Sequence, residues 1–361
     1  MQLEKFYKNK RIFITGHTGF KGSWLTSCLL NFGAKVMGFS QIDERIKHYK
    51  KICYYKKVKN VYSDILNYKD LKQKILKFNP QIIIHLAAQS LVSISYKDPY
   101  KTIETNVVGT LNVINISREI KNLKSLLVIT SDKCYHNKEL IRGYNENDPL
   151  GGDDPYSASK ASAEFVFNAY SKSFFRHQKK FGFASARAGN VIGGGDWSND
   201  RLIPDCVKSI ENKKKFVIRN PKSTRPWQHV LEPVSGYLFL AKKLYEDKKK
   251  YSGSWNFGPS LRETIEVKDV AKLFFGFIGI SKKVFIKKGK FKEANLLKLN
   301  SNKAINILKW KSKWNMKKSI QETARWYKDY LEKKNIKLTL NNQIKEYFSI
   351  KKDNDLSLIH I

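Results

Sequence analysis

Two short segments of the sequence carry residue types that could transfer protons. Ser131, Asp132 and Lys133 directly follow an apolar run, and Tyr156 and Lys160 are four residues apart. Residues four apart lie on one face of a helix, so Lys160 can stand beside Tyr156. A phenol has a pKa of about 10, and a neighbouring cation favours its phenolate. The pattern is typical of a phenol acting as a base on a hydroxyl that Ser131 also binds.

An acid and an amine stand side by side where this apolar strand ends. Asp132 can donate a proton near neutral pH only if burial raises its pKa, and a charged Lys133 would lower that pKa. Lys133 would therefore have to be a neutral amine to act as a base while Asp132 acts as an acid. The structural alternative is an ion pair of Lys133 with Asp132 or with another acid.

A glycine-rich loop lies upstream of both segments. A strand pattern over residues 11–15 runs into this loop, and a helical pattern follows over residues 23–32. In that order, glycines allow a tight turn and let backbone amides approach the pyrophosphate of a dinucleotide at the positive end of the helix. The loop residues predicted to contact such a cofactor are Gly16, Thr18, Gly19, Phe20 and Gly22.

Further strand patterns alternate with helical segments through the first half of the chain. They lie at residues 34–39, 58–61, 82–86 and 126–130. The alternation predicts an α/β fold of Rossmann type, with a doubly wound parallel sheet that binds ligands at the carboxyl ends of its strands. The further predicted cofactor contacts are Ser40, Asp64, Ile65, Leu86, Ala87, Ala88, Tyr156 and Lys160.

Three positions near these strand ends have more than one interpretation. Ser40 stands where an acid would bind the 2′-hydroxyl of NAD, so the sequence leaves NAD and NADP both open. Asp64 is either an adenine contact or a turn and helix-cap residue. His85 lies inside an apolar strand, where a hydrogen-bonded core residue is the favoured interpretation.

Composition narrows the class of protein. The chain has 361 residues and a formal net charge of +36, from 68 Lys and Arg against 32 Asp and Glu. The lysines are dispersed and accompany no nucleic-acid-binding motif, so we expect a solvated basic surface, compatible with an anionic substrate, and no nucleic-acid partner. No apolar run reaches the roughly 18–20 residues of a membrane span, and the start lacks the apolar core of a signal peptide. Four scattered cysteines predict free thiols, no metal site and a cytoplasmic protein.

Longer blocks of the sequence resemble a known family. TGHTGFKG, HLAAQ and YSASK are similar to the extended short-chain dehydrogenases/reductases, whose members act on nucleotide-activated sugars. A narrower resemblance, to the CDP-glucose 4,6-dehydratase group, runs from near residue 10 to near residue 347. It is carried by GHTGFKGSWL, TSDKCYHN, DPLGGDDPYSASKA, ARAGNVIGGGDW, DRLIPD, TRPWQHVLEP and WNFGP.

The resemblance implies a reaction and a role for each group. Tyr156 takes the proton of the C4 hydroxyl of CDP-glucose while the C4 hydride passes to bound NAD. A base, assigned here to Lys133, removes the C5 proton as Asp132 protonates the departing C6 hydroxyl. The hydride then returns to C6, which gives CDP-4-keto-6-deoxy-glucose and water for deoxysugar and cell-surface polysaccharide synthesis.

The resemblance also implies substrate contacts and a domain plan. The NAD-binding domain would span residues 1–190 with 230–255 returning to it, of which 230–245 would form a strand and a helix, and 191–350 would bind the nucleotide sugar. Residues 351–361 would be a frayed tail, and the enzyme would be a homodimer or homotetramer. Arg225 would hold the pyrophosphate, or else cap a loop. The implied substrate contacts are Gln89, Asn190, Arg201, Leu202, Ile203, Arg225 and Gln228.

Two other functions remain possible from the sequence. A dehydratase or 4-epimerase for another nucleotide sugar would use the same cofactor site, but an epimerase needs no acid and base for C5 and C6. A nonenzymatic dinucleotide-sensing protein could dispense with Tyr156 and Lys160. The presence of Asp132 and Lys133 therefore favours a dehydratase.

Overall fold

The computed structural model describes residues 2–175, 180–261, 263–286 and 296–349. The predicted frayed tail, 351–361, lies outside the described residues. The strands are β1 (Arg11–Thr15), β2 (Lys35–Ser40), β3 (Lys59–Tyr62), β4 (Ile82–His85), β5 (Ser125–Ile129), β6 (Gly182–Ala188), β7 (Val191–Ile192), β8 (Phe216–Ile218), β9 (Thr224–Arg225), β10 (Gln228–His229), β11 (Gly253–Phe257), β12 (Ile265–Glu266) and β13 (Val284–Ile286).

Helices cover both faces of the sheet, and further helices alternate with short strands in the second half of the chain. They are α1 (Gln2–Tyr7), α2 (Phe20–Asn31), α3 (Arg45–Ile52), α4 (Tyr68–Phe78), α5 (Val92–Lys97), α6 (Pro99–Ile103), α7 (Gly109–Ser117), α8 (Pro155–Tyr170), α9 (Leu202–Glu211), α10 (Leu231–Glu246), α11 (Lys248–Tyr251), α12 (Val267–Ile278), α13 (Asn302–Asn306), α14 (Met316–Leu331) and α15 (Ile336–Ser349). Short 3-10 turns span Tyr55–Lys57 and Asp132–Cys134, and π-helical turns span Glu104–Val108 and Ser171–Phe175.

Among the described residues, seven parallel strands form the central sheet, in the spatial order β11-β6-β5-β4-β1-β2-β3. The order reverses between β1 and β4, as in a doubly wound fold, so the predicted fold class is confirmed. Successive residues of a strand point to opposite faces of the sheet. Ile12 and Ile14 pack in one apolar cluster, and Phe13 packs in the other. Both faces are covered, as parallel sheets require.

The return of the chain to the sheet differs in detail from the prediction. Residues 230–245 were expected to supply a strand and then a helix, but helix α10 comes first and strand β11 follows it. Buried Leu231, Val234, Leu238 and Ala241 are spaced by three and four residues, which is the period of a helix rather than of a strand. Strand β11 pairs with β6. The division into two domains stays a prediction.

Three histidines buried in this core make stability depend on pH. Burial lowers the pKa of His17 to about 4, and that of His85 and His229 to about 3. His85 bonds to Thr15 Oγ1 at 2.6 Å and to Thr110 Oγ1 at 3.0 Å, which confirms the core interpretation of that residue.

We expect the free energy of unfolding to fall as pH decreases from about 6.5 to 5. In that window the unfolded chain protonates these histidines and the folded chain does not, so each costs about 2 kcal/mol at pH 5. Asp205 opposes the trend, because burial raises its pKa to about 6. The free energy of unfolding, measured with urea, should therefore differ between pH 7.5 and pH 5 by about 2 kcal/mol less in His85→Gln than in the wild type. Exposed His136→Gln is the control, and an unchanged dependence in His85→Gln would contradict this account.

Candidate active site

The glycine loop closes tightly at the end of β1. Gly16 has a φ of +74°, and a Cβ there would lie 2.7 Å from the Ala87 nitrogen. A Cβ on Gly22 would lie 2.1 Å from the Gly16 oxygen. Both positions therefore require glycine if the loop is to keep this shape. The turn brings the start of α2 to the carboxyl edge of the sheet.

The start of α2 offers backbone N–H groups to an anion. Gly19 is the N-cap residue, and no side chain caps this helix end. Uncapped N–H groups and the helix dipole together bind phosphate groups. Lys160, buried nearby on α8, has no carboxylate within 4.0 Å among the described residues, which leaves its ammonium for a ligand hydroxyl. These features fit a dinucleotide with its pyrophosphate on α2.

Two of the predicted adenosine contacts, Ser40 and Asp64, form hydrogen bonds with other residues of the protein. Ser40 Oγ bonds to His17 Nδ1 at 2.9 Å, and the Thr18 nitrogen donates to Ser40 Oγ at 3.4 Å. Asp64 accepts bonds from the Leu66 nitrogen at 2.9 Å and from Gln41 Nε2 at 2.5 Å. These bonds fit the turn interpretation of Asp64, and its adenine contact stays a prediction. Phe20 is partly exposed and packs against the core, whereas Ile65 is buried, and their cofactor contacts stay predictions.

The loop after β4 is held by an asparagine that sequence reasoning missed. The Ala87 nitrogen donates to Thr15 Oγ1 at 3.2 Å, and the cofactor contacts of Leu86, Ala87 and Ala88 stay predictions. The amide of Gln89 bonds within the loop, to Leu91, and to Thr102 Oγ1 at 2.9 Å. Asn106, in a π-helical turn, bonds to the Gln89 backbone and to Ser159 Oγ on α8. A lone Asn in an apolar helix gave no sequence signal for this role.

Ser131, Asp132 and Lys133 form a tight turn directly after β5. Ser131 Oγ donates to Asp132 Oδ1 at 2.9 Å and accepts from the Lys133 nitrogen at 3.3 Å. Burial raises the pKa of Asp132, while the Lys133 charge and the Ser131 bond act to lower it. The direction required of a proton donor is therefore confirmed. Among the described residues no carboxylate lies within 4.0 Å of Lys133 Nζ, but the Lys133 charge acts on Asp132, so the base and the ion-pair interpretations of Lys133 both stay predictions.

Tyr156 and Lys160 stand on the first turns of α8, as the sequence predicted. Asp154 caps the helix through a 3.0 Å bond from the Ser157 nitrogen, and Pro155 follows it. Burial raises the pKa of Tyr156 to about 12, against a hydrogen bond with Ser131 and the charge of Arg201. Burial lowers the pKa of Lys160 to about 8. In the protein alone the phenol is therefore protonated at neutral pH, and forming a phenolate needs additional positive charge.

Two cations reach this site from distant parts of the sequence. Lys21, on the first turn of α2, lies close enough to Asp132 and Lys160 to affect their pKa values. Arg201 lies beside Tyr156 and pairs with Asp196 at 2.9 Å. Lys21 was missed because its position in a glycine loop suggests only a cofactor turn. Its surplus positive charge suits an anionic ligand.

The remaining predicted substrate residues are spread around the site. Helix α9 begins at Leu202, but Ile203 is buried in the core. The carbonyl oxygen of Asn190 accepts from the Gln228 nitrogen at 3.1 Å, and Gln228 is buried, donating to the Phe257 oxygen at 3.0 Å. Arg225 is half-buried in β9. Substrate contacts of these residues stay predictions, and for Gln228 and Ile203 the burial of the side chain argues against them.

Membrane-spanning helices and metal-binding clusters are both absent from the described residues. No helix there is both long and apolar enough to cross a membrane. Nor do the described residues hold a group of three or more His, Cys, Asp and Glu side chains that could bind a metal ion. All four cysteines are buried free thiols.

Comparisons with known proteins identify the family of this chain. A family model described as GDP-mannose 4,6 dehydratase matches residues 13–323. The CDP-glucose 4,6-dehydratase of Salmonella typhimurium is 40% identical over 352 residues, or 96% of this chain and 98% of that protein. The CDP-paratose 2-epimerase of Salmonella typhi is 24% identical, over 88% of this chain and 98% of that protein.

Solved structures share the fold. The epimerase Mth375 of Methanothermobacter thermautotrophicus has a TM-score of 0.81 at 21% identity, over 92% of this chain and 96% of that one. The dTDP-glucose 4,6-dehydratase of Bacillus anthracis, solved in complex with NAD, has a TM-score of 0.73 at 24% identity, over 90% and 98%. From the model match and the 40% identical relative, the chain belongs to the GDP-mannose 4,6 dehydratase family of extended short-chain dehydrogenases/reductases.

Proposed function

We propose that this protein is an NAD-dependent CDP-glucose 4,6-dehydratase, a hydro-lyase. The observation that carries the proposal is the turn Ser131-Asp132-Lys133, in which burial raises the pKa of an acid beside an amine, next to Tyr156. Tyr156 suits the oxidation of an alcohol, and the acid and the amine of the turn are the additional groups that an elimination of water needs. The near-full-length identity of 40% to a CDP-glucose 4,6-dehydratase supports CDP-glucose as the substrate.

The chain's own groups divide the proton transfers between them. Tyr156, as phenolate, accepts the proton of the C4 hydroxyl, and the charge of Lys160 favours that phenolate. Once C4 is a ketone, the C5 proton is acidic, and the amine of Lys133 removes it. Asp132 gives its proton to the C6 oxygen, which leaves as water. NAD, when bound, would accept the C4 hydride and return it to C6, and Lys133 would return the proton to C5 as that hydride adds. The products are CDP-4-keto-6-deoxy-glucose and water.

An epimerase on the same fold is the rival enzyme. It would oxidise C4 and return the hydrogen to that carbon, and it would not need a protonated acid at Asp132. Incubation of the protein with CDP-glucose and NAD should give a product lighter by one water, with the alkaline absorbance of a 4-keto sugar. Deuterium placed on C4 should reappear on C6. A product of unchanged mass, or preference for another nucleotide sugar, would reject the proposal.

The assignment of Lys133 as the C5 base makes a separate prediction. Lys133→Met should slow the exchange of the C5 hydrogen with solvent deuterium about 10²–10³-fold, because no other amine stands in that turn. The exchange is followed by mass spectrometry of the product. Lys138→Met, which removes an exposed lysine of the same loop, is the control and should leave it unchanged. Exchange at the wild-type rate in Lys133→Met would reject this base.

We also infer a homo-oligomer that forms through the first half of the chain. The π-helical turn Glu104–Val108 and helix α6 both pack against α8, and together they expose Tyr100, Ile103, Val108 and Phe165. Clustered exposed apolar side chains mark interaction surfaces. Light scattering should give a dimer or tetramer, and Tyr100→Glu with Phe165→Glu should give monomers. Exposed Ile141→Glu is the control, and an unchanged mass in the double variant would exclude this face.

We further assign the enzyme to the cytoplasm and to deoxysugar synthesis for cell-surface polysaccharide. The buried free thiols of all four cysteines are typical of proteins that fold in a reducing compartment. The polysaccharide role depends on the proposed product, since a 4-keto-6-deoxy sugar is a precursor that later enzymes must reduce or aminate. Loss of a 6-deoxy sugar from the polysaccharide of a deletion strain would test it.

A further inference from the structure

A buried ion pair lies directly behind the proposed catalytic groups. Glu164 is on α8, four residues beyond Lys160 and eight beyond Tyr156, and it is fully buried. Arg187 of β6 meets it with Nη2 2.7 Å from Oε2 and with Nε 3.0 Å from Oε1. The guanidinium and the carboxylate thus face each other through two bonds, which fixes their relative orientation.

The two residues that flank the catalytic turn both bind this pair. Thr130, immediately before Ser131, donates from Oγ1 to Glu164 Oε1 at 2.5 Å. Tyr135, which follows the 3-10 turn, accepts at its hydroxyl a 2.7 Å bond from Arg187 Nη1. The same hydroxyl donates to Asn256 Oδ1 on β11 at 2.9 Å. The turn is therefore anchored at its start by the acid and at its end by the arginine.

Stability alone is a weak reason for such a pair. Removing two charges from water costs several kcal/mol per ion, and apolar side chains of similar volume often stabilise a core equally well. Apolar replacements would lack the hydrogen bonds that fix how the neighbouring elements are oriented. Glu164 Oε2 accepts bonds from Ser185 Oγ of β6 at 2.9 Å and from Ser254 Oγ of β11 at 3.4 Å, so both carboxylate oxygens accept bonds from more than one element. The pair joins β5, β6 and α8 through oriented bonds.

We propose that the Glu164–Arg187 pair is a positioning device for the dehydratase reaction. It holds the turn that carries Asp132 and Lys133 at a set distance from the helix that carries Tyr156 and Lys160. The inference deepens the function proposed above and rests on it. Tyr156 acts on the C4 hydroxyl of the sugar, whereas the groups of the turn act on C5 and C6. The helix and the turn must therefore both contact the same bound hexose. A misplacement of about 1 Å can cost about 10²-fold in rate.

Two variants loosen the anchors without touching the catalytic groups. Glu164→Gln removes the charge of the acid, and Tyr135→Phe removes the hydroxyl that accepts from Arg187 and donates to Asn256 at the end of the turn. The matched control is Glu232→Gln, which also neutralises a fully buried carboxylate. Glu232 accepts bonds from the Trp314 nitrogen at 2.7 Å and from the Tyr347 hydroxyl at 2.6 Å, and it has no bond to the turn.

The first measurement separates oxidation from elimination. Reactions with CDP-glucose are quenched with borodeuteride, and mass spectrometry gives the ratio of C4-oxidised sugar that still holds its C6 oxygen to sugar that has lost water. We expect this ratio to rise at least about tenfold in Glu164→Gln and Tyr135→Phe, with kcat lower and KM changed less than threefold. Glu232→Gln should keep the wild-type ratio. Folded variants with wild-type kcat, or with reduced kcat at an unchanged ratio, overturn the proposal.

The second measurement needs no turnover. Hydrogen exchange of the backbone amides of residues 131–135 should be faster in Glu164→Gln and Tyr135→Phe than in the wild type, and unchanged in Glu232→Gln. If Glu164→Gln does not fold, Tyr135→Phe and Thr130→Val carry both tests. A wild type that makes no dehydrated sugar rejects the proposed function, whereas equal exchange of this turn in all variants rejects the positioning role.

Discussion

Tyr156→Phe is expected to lower kcat for CDP-glucose by about 10³-fold, the range that removal of a positioned acid–base group usually costs. The phenol is the group of the site that can take the C4 hydroxyl proton, since it bonds to Ser131 and stands one helical turn before Lys160. Substrate binding should change little, because Phe keeps the ring in place. Production of the 4-keto sugar under saturating substrate is the measurement.

The control for this variant is another buried tyrosine. Tyr7→Phe removes a hydroxyl that donates to the Leu238 oxygen at 2.6 Å, far from the turn after β5. It should lower the melting temperature and leave kcat within about twofold. More than a tenth of the wild-type kcat in Tyr156→Phe would show that another group takes the proton, and the mechanism proposed here would then be wrong.

Asp132→Asn is expected to stop the reaction after C4 oxidation, with formation of the dehydrated product about 10²–10³-fold slower. Asn cannot give a proton to the leaving C6 hydroxyl, but it preserves the shape of the turn and can accept the Ser131 bond. The C4-oxidised sugar that retains its C6 oxygen should therefore accumulate. Borodeuteride trapping followed by mass spectrometry measures it.

The pH dependence of the wild type gives an independent check on Asp132. Because burial raises the pKa of this carboxyl, its protonated form persists above the usual range of an aspartic acid and is lost as pH rises through the raised pKa. The rate of the dehydration step should therefore fall as pH rises through this pKa, and this fall should be absent in Asp132→Asn. Asp247→Asn is the matched control, since Asp247 only caps α11 and Asn caps equally well. A dehydration rate in Asp132→Asn equal to that of the control would remove Asp132 from the mechanism.

Local patterns predicted the parts of the site that lie within one element. The spacing of Tyr156 and Lys160, the Asp154 cap and the glycine loop after β1 all depend on residues a few positions apart, and the structure has them where the sequence indicated. Strand β6 was missed. Its residues GFASARA are fully buried but mostly small, without the β-branched run that marks the other strands.

The sequence by itself determined the class of fold, the cofactor edge of the sheet and the phenol–lysine pair, because periodicity and turn chemistry act over a single turn or strand. Only the tertiary structure decided which distant groups meet there. Lys21 and Arg201 are 180 positions apart and converge on one site, and Arg187 reaches Glu164 because β6 pairs with β5. Strand order brings such residues together, and no local spacing encodes it, since the contacts close long loops whose partners are chosen by packing of the whole core.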